Sequence, residues 1–288
     1  MSDSNLGEVS NIKKSVSSLK KSICKIERLI KRYESSIASR PISLRLSLLD
    51  DLEKEFLRMS KMTADLTLDK WLKARRDEEK VKKDQLKSYL APELEKLLKE
   101  KNFDLRGTYP ALKTKYYRID LDFEKERSTL WYGEQHEFLA RVPLNANAIA
   151  QKIFAEDKRI TQRRFDQAVF LQKLYEAYQR VINADGLPLG ADVPIIRLLL
   201  EFCIINQNKS FLDNPTKENF MGYGRVYFSY DLYRLKEREI NGCRLKLRTA
   251  TLLQSKNKSQ YLWIPSNEKG DGEIFASIAF EVQHNELA

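Results

Sequence analysis

Between Val9 and Ile37 the apolar residues Val9, Ile12, Val16, Leu19, Ile23, Ile26, Ile30, Tyr33 and Ile37 are separated alternately by three and four positions. A seven-residue repeat of this length, without Pro and without Gly, restricts the stretch to one helix, roughly 45 Å long at about 1.5 Å per residue. Its apolar seam is narrow, and a narrow seam needs a second helix against it. The spacing therefore predicts a coiled coil or a helical hairpin.

The flanks of the seam constrain the partner. Lys13, Lys20, Glu27 and Glu34 lie on one side, and Ser15, Ser22, Leu29 and Ser36 on the other. A parallel dimer would set charge against serine. An antiparallel one would bring Lys13 to Glu34 and Lys20 to Glu27 of a second copy, stacking Ile23 on Ile26 and Leu19 on Ile30. An antiparallel homodimer is one expectation. The other is a hairpin within the chain: Arg40-Pro41 is a short break, after which Ile42, Leu46, Leu49, Leu52, Phe56 and Met59 mark one side of a second helix. A third helix starts near Thr67. Its run Lys73 to Lys87 alternates in charge, as a solvated helix laced with ion pairs would. Leu86, Tyr89, Leu90, Leu94, Leu97 and Leu98 return it to a core, with Pro92 as a kink or restart.

Composition shifts at Asn102. Tyr117, Ile119, Leu121 and Phe123 alternate with polar residues, which predicts a half-buried strand; Thr129 to Tyr132 returns as a second, and Phe103 to Leu105 offers a third. Asp120 and Asp122 share one strand face, with Glu134, His136 and Glu137 just beyond the next strand. Carboxylates and a histidine could hold Mg²⁺ or Mn²⁺ for phosphodiester hydrolysis, so Asp120, Asp122, Glu134 and His136 are candidate catalytic residues. No strand adds the Glu-x-Lys of a common metal nuclease pattern. A solvated sheet face explains the same residues.

Beyond Pro143 the pattern predicts helices over Asn145 to Asp157, Thr161 to Asn183 and Ile195 to Ile205. A longer one, aromatic and basic, is expected from Pro215 to about Glu239. Asn241-Gly242 is a turn. Strands follow over Arg244 to Leu253, Tyr261 to Ile264 and Ile274 to Val282. Helices followed by strands and a charged loop is the order of a winged helix. On that reading the long helix enters a nucleic-acid groove and the loop around Lys269 is the wing. Arg225, Arg234, Arg238, Arg244, Lys246, Arg248, Lys256 and Lys258 would contact phosphates, together with Lys13, Lys14, Lys20 and Lys21 of the first helix. Aromatic spacing of this kind also describes a core, and a basic strand face the wet side of a sheet.

The 288 residues carry 51 Lys and Arg against 41 Asp and Glu, a formal charge of +10. Such a balance favours polyanions, because attraction to phosphate is long-ranged. Cys24, Cys203 and Cys243 are few, odd in number and far apart, as free thiols of a reducing compartment would be. The polar N-terminus shows no signal-peptide pattern, and the longest apolar run is broken by Pro194, Arg197 and Glu201. The cytoplasm is the expected address. No phosphate-cradling glycine loop and no nucleophile elbow occurs, and no cofactor is expected. The expected fold is α+β. Residues 1–100 would form a helical assembly region, 101–145 a small antiparallel sheet, and 146–288 a helical body with C-terminal hairpins. The expected function is that of a non-enzymatic basic subunit, assembling through its first helices and contacting nucleic acid. A pure protein scaffold and a metal-dependent nuclease are the alternatives.

Overall fold

The structure, a computed structural model, describes residues 3–60 and 67–283; side chains are described from residue 17 on, except at 18, 60 and 67–71. The fold is α+β, with helices first and two small antiparallel sheets after them. No helix among the described residues is long and apolar enough to cross a membrane. Contacts divide the chain into two compact units. The first comprises Met1–Lys96, Leu121–Ser128 and Pro143–Ala146, the second the remainder.

In the first unit, α1 (Asp3–Ser36) and α2 (Ile42–Ser60) form a hairpin around Pro41, and α3 (Thr67–Lys99) runs through Pro92 without a break. The hairpin covers α1 through Ser22, Ile26, Leu29, Tyr33 and Ser36, while Ile23 and Ile37 stay 46% exposed. The covered stripe is thus rotated by roughly 60° from the seam, since successive helical residues are about 100° apart. The serine flank turns inward because small side chains let the backbones of α1 and α2 approach. Leu29 and Tyr33 pack with Leu48, Leu49 and Leu52 of α2 and Leu72 of α3. The seam residues Val9, Ile12 and Val16 have side chains outside the described ones.

A polar knot lies beside this core. Glu79, inside the run expected to be solvated, has no exposed surface. Its carboxylate lies 3.2 Å from Arg45, accepts from Lys82 at 3.0 Å and accepts from the Tyr33 hydroxyl at 3.2 Å. Arg45 also reaches Glu126 at 3.1 Å and donates to the Ile37 carbonyl at 2.8 Å, closing the end of α1. The rest of the run does carry surface ion pairs, Arg75 to Glu78 and Arg76 to Asp50 among them. Only the turn facing the hairpin is drawn in.

The first sheet is a meander in sequence order: β1 (Arg106–Thr108), β2 (Ala111–Thr114), β3 (Tyr117–Asp122), β4 (Arg127–Tyr132) and β5 (Glu137–Pro143). The segment Phe103 to Leu105, expected as a strand, precedes β1 instead. In the second unit, α4 (Ala146–Thr161), α5 (Gln167–Asp185), α6 (Ile195–Ile205), the short α7 (Lys209–Asp213) and α8 (Arg225–Arg234) accompany the second sheet. That sheet runs β6 (Val193–Pro194), β10 (Gly272–Val282), β8 (Cys243–Thr249), β7 (Glu239–Ile240), with β9 (Leu262–Pro265) pairing the first half of β10. Helix α5 is set locally: Asp166 accepts from the Val169 amide, and Gly186 takes the left-handed conformation at the end. Leu174 and Tyr178 of α5, Leu198 and Phe202 of α6 and Phe228 of α8 meet Ile278 and Phe280 of β10 in one core.

The groove-reading helix does not form as expected. Residues 215–224 are turns and irregular chain, α8 stops at Arg234, and every one of its residues is buried or half-buried. Packing of Phe228 and Leu232 into the core overrides the exposed role that basic spacing suggested. The loop around Lys269 is not a free wing either. Arg106 donates to the Lys269 carbonyl, and a Cβ on Gly270 (φ +86°) would sit 1.9 Å from the Lys115 carbonyl oxygen. The loop is fastened to the turn between β2 and β3.

Candidate anion-binding cleft

The carboxylates of the first sheet are spent on partners within the chain. Asp120 accepts from Arg118 Nε at 2.7 Å, the Trp131 indole at 2.9 Å and the Gln135 amide at 2.5 Å. Glu134 accepts from Arg118 at 2.8 Å and pairs with Lys113. Burial alone would raise the Glu134 carboxyl, but the bonds from Lys113 and Arg118 outweigh it and hold it below the ordinary range. Asp122 caps the β3–β4 turn, accepting from the amides of Glu124 and Lys125 at 3.2 and 3.0 Å. His136 stacks on Trp263 (5.9 Å between ring centroids, 14° between planes), with Nδ1 3.3 Å from the Tyr261 hydroxyl. Among the described residues no group of three or more His, Cys, Asp or Glu is placed to hold a metal ion. An ion on Asp120 and Glu134 would first have to displace Arg118 and Lys113.

Four of the basic residues expected at phosphates are likewise engaged. Arg225 donates to Glu137 at 2.5 Å and to the Tyr261 carbonyl at 2.6 Å, and Lys258 lies 3.3 Å from the same Glu137. Arg234 pairs with Asp231 at 2.7 Å and lies over the Phe165 ring at 3.9 Å. Arg248 is held by Asp192 at 3.2 Å and by Glu281. Lys20 and Lys21 are exposed on α1, and Lys256 is exposed in a short helical turn. Lys13 and Lys14 have side chains outside the described ones. The three cysteines are free: Cys24 exposed, Cys203 half-buried, Cys243 buried.

Arg238, Arg244 and Lys246 share with the exposed lysines the lack of an ion pair among the described residues, but the fold brings these three together. The construction starts at the β7–β8 hairpin, whose turn residues Asn241 (φ 52°) and Gly242 (φ 73°) take the positive φ values of a primed two-residue turn. That turn fixes the register Glu239 to Arg244, and the Leu245 amide donates to the Arg238 carbonyl at 2.8 Å, so Arg238 arrives beside β8. Along β8, Cys243 and Leu245 are buried, while Arg244 and Lys246 alternate with them on the other side. A bulge between Phe275 and Ser277 then bends β10, which pairs β9 before it and β8 after it.

The result is a cleft of about 480 Å³ in the second unit, lined by the three cations and by Tyr233, Phe275, Ile264 and Pro265. No carboxylate lies within ion-pair distance of the three cations among the described residues; Glu273 lines the cleft but pairs with none of them. Burial, and then the like charge of Arg244, lower the proton affinity of the Arg238 guanidinium. Charge held together against its own repulsion, with Arg238 and Lys246 half-buried and Arg244 exposed beside them, is stabilised by any anion that enters. Elsewhere in the unit a cation that loses water finds Glu137, Asp231 or Asp192.

Each of the three cations was visible in the sequence as a basic residue, but no signal set them apart from Arg225 or Arg248. The apolar wall was missed altogether: Tyr233, Ile264 and Phe275 read only as core and strand residues. Comparison of the chain with family models, with curated proteins and with solved structures finds no match.

Proposed function

We propose that this chain is a non-enzymatic basic subunit that contacts nucleic acid through the Arg238–Arg244–Lys246 cleft and assembles through the outer face of α1. The observation that carries the nucleic-acid half is the cleft itself. Three cations share it, none of them within ion-pair distance of a carboxylate among the described residues, although Glu273 lines the cleft and Glu239 and Glu281 stand opposite Arg244 on the neighbouring strands. The net charge of +10 adds long-range attraction to the same partner. Contact is with the phosphate backbone, since α8 offers no exposed face to read bases.

The experiment is binding of labelled single-stranded and duplex oligonucleotides to the full chain between 50 and 200 mM salt. The logarithm of affinity falls linearly with the logarithm of salt, and replacing Arg238, Arg244 and Lys246 together by Gln flattens the slope by roughly 0.7–0.9, the share of one phosphate contact. Absence of binding at 50 mM salt overturns the reading.

The assembly half rests on α1. Ile23 and Ile37 remain exposed beside Lys20, Glu27 and Glu34, which are also exposed and make no ion pair among the described residues. An antiparallel second copy with its two-fold near Ile23 sets that residue against its own copy and Lys20 against Glu27. The same register sets Lys13 against Glu34. The charge pairs are those of the full seam, while the apolar contact is confined to its exposed side, because Ile26 and Tyr33 are already taken by the hairpin.

A further inference from the structure

The cleft is more than a patch of positive charge, because part of its lining is apolar. Half-buried Phe275 and Tyr233 line it, and the strand residues Leu245, Ile264 and Pro265, buried or half-buried themselves, contribute to the lining behind them. Its volume of about 480 Å³ falls in the range of about 300–1,000 Å³ usual for sites that enclose organic ligands, and far exceeds what one phosphate ion fills. A duplex presents its phosphates and sugars outward and keeps its base faces stacked, so against it the apolar walls would have nothing to cover. An unpaired nucleotide can offer both parts at once: a phosphate to the cations and a base face to a ring.

Resting on the reading above, we propose that the cleft receives one unpaired nucleotide of a single strand. Its phosphate lies between Arg238, Arg244 and Lys246, and its base lies against Phe275 and Tyr233. The recognised chemistry is that of a nucleoside monophosphate, which a free nucleotide shares with a strand. Ser266, exposed at the rim, touches neither part.

The test uses the full chain and a labelled single-stranded 12-mer, displaced in turn by AMP, ribose 5-phosphate, inorganic phosphate and a duplex of equal length. The single strand is expected to bind at least about tenfold more tightly than the duplex at equal salt. AMP is expected to compete about tenfold better than ribose 5-phosphate or phosphate. Phe275→Leu removes the AMP advantage and leaves the salt slope unchanged. Ser266→Trp, at an exposed position that the core does not need, fills the cleft and blocks AMP even if Phe275→Leu proves unstable. Equal competition by AMP, ribose 5-phosphate and phosphate overturns the base-binding inference, while salt-dependent binding lost in the triple Gln variant keeps the nucleic-acid reading standing. Binding of AMP with no binding of any oligonucleotide does the reverse: the cleft is then a site for a free nucleotide, and the nucleic-acid reading fails.

Discussion

Glu79 has lost all contact with water, and the groups that compensate it, Arg45, Lys82 and the Tyr33 hydroxyl, come from three different turns of the helical unit. Burial, reinforced by the Glu79 charge, pushes the Tyr33 hydroxyl up to about 12, so it stays protonated and donates at neutral pH. Removing Arg45 leaves a buried charge short of its main partner. Arg45→Met is therefore expected to cost about 3–5 kcal/mol in urea unfolding, and adding Glu79→Leu to recover much of that loss. A double variant no better than Arg45→Met alone would show that Glu79 carries no uncompensated charge there. His136 gives a pH-dependent case. Burial lowers its proton affinity from the ordinary value of about 6.5, so the fold binds the neutral ring. Between the folded value and 6.5 the unfolded chain holds the extra proton, hence this residue's contribution is full above about 6.5 and is lost as pH falls below it. Unfolding curves at pH 7.5 and 5.5 should show wild type losing more stability on acidification than His136→Gln; parallel losses would remove the argument. Neither role could be read from the sequence. Glu79 sits in the same alternating run as the exposed Glu78, and His136 was taken with Glu134 as a candidate ligand, whereas it is packed on Trp263.

At the scale of elements, α1 shows how one helix can serve two neighbours. Ser22, Ile26, Leu29, Tyr33 and Ser36 face the hairpin, and Ile23 and Ile37 remain outside with an ordered row of charges. The heptad was legible because periodicity is a local property of the chain. Which half of the stripe the hairpin takes was not, since Ser22 and Ser36 are polar and their inward position depends on α2 lying close. The proposed dimer follows from the other half and is testable by charge reversal. Lys20→Glu sets like charges across the interface and should shift the light-scattering mass toward the monomer, and Lys20→Glu with Glu27→Lys should restore it. Unchanged mass in the single variant, or no recovery in the double one, rejects this register. In the second unit, α8 teaches the opposite lesson. Aromatic and basic residues from Phe220 to Glu239 suggested one long exposed helix. Gly222 and Gly224 interrupt it, and the core claims Phe228 and Leu232.

For the molecule as a whole, the question is whether binding follows total charge or charge placement. The triple Gln variant of the cleft takes three charges off the +10 total, and so does a control in which the exposed Lys217, Lys236 and Lys256 become Gln. If the overall field were the cause, both would weaken binding alike. Placement predicts that the cleft variant flattens the salt dependence clearly more than the control, measured with the same oligonucleotide. Equal slopes would reduce the chain to a generic polycation.

By itself the sequence determined what is local: the presence of α1, α2 and α3, the span of α6, the alternation of β3 and of the start of β8, and the Asn241-Gly242 turn, though not that β8 stops at Thr249 short of the expected Leu253. Each follows from residue periods of two or 3.6 and from backbone preferences that act over a few positions. Only the tertiary structure decided which like residues become unlike. Arg238 is left unpaired while Arg225 finds Glu137, and Glu79 is enclosed while Glu78 stays wet. Those outcomes depend on neighbours tens of residues away in the chain, such as Glu137 for Arg225 and Arg45 for Glu79. Desolvation and charge pairing are set by distance in space, and no pattern along the chain encodes that distance.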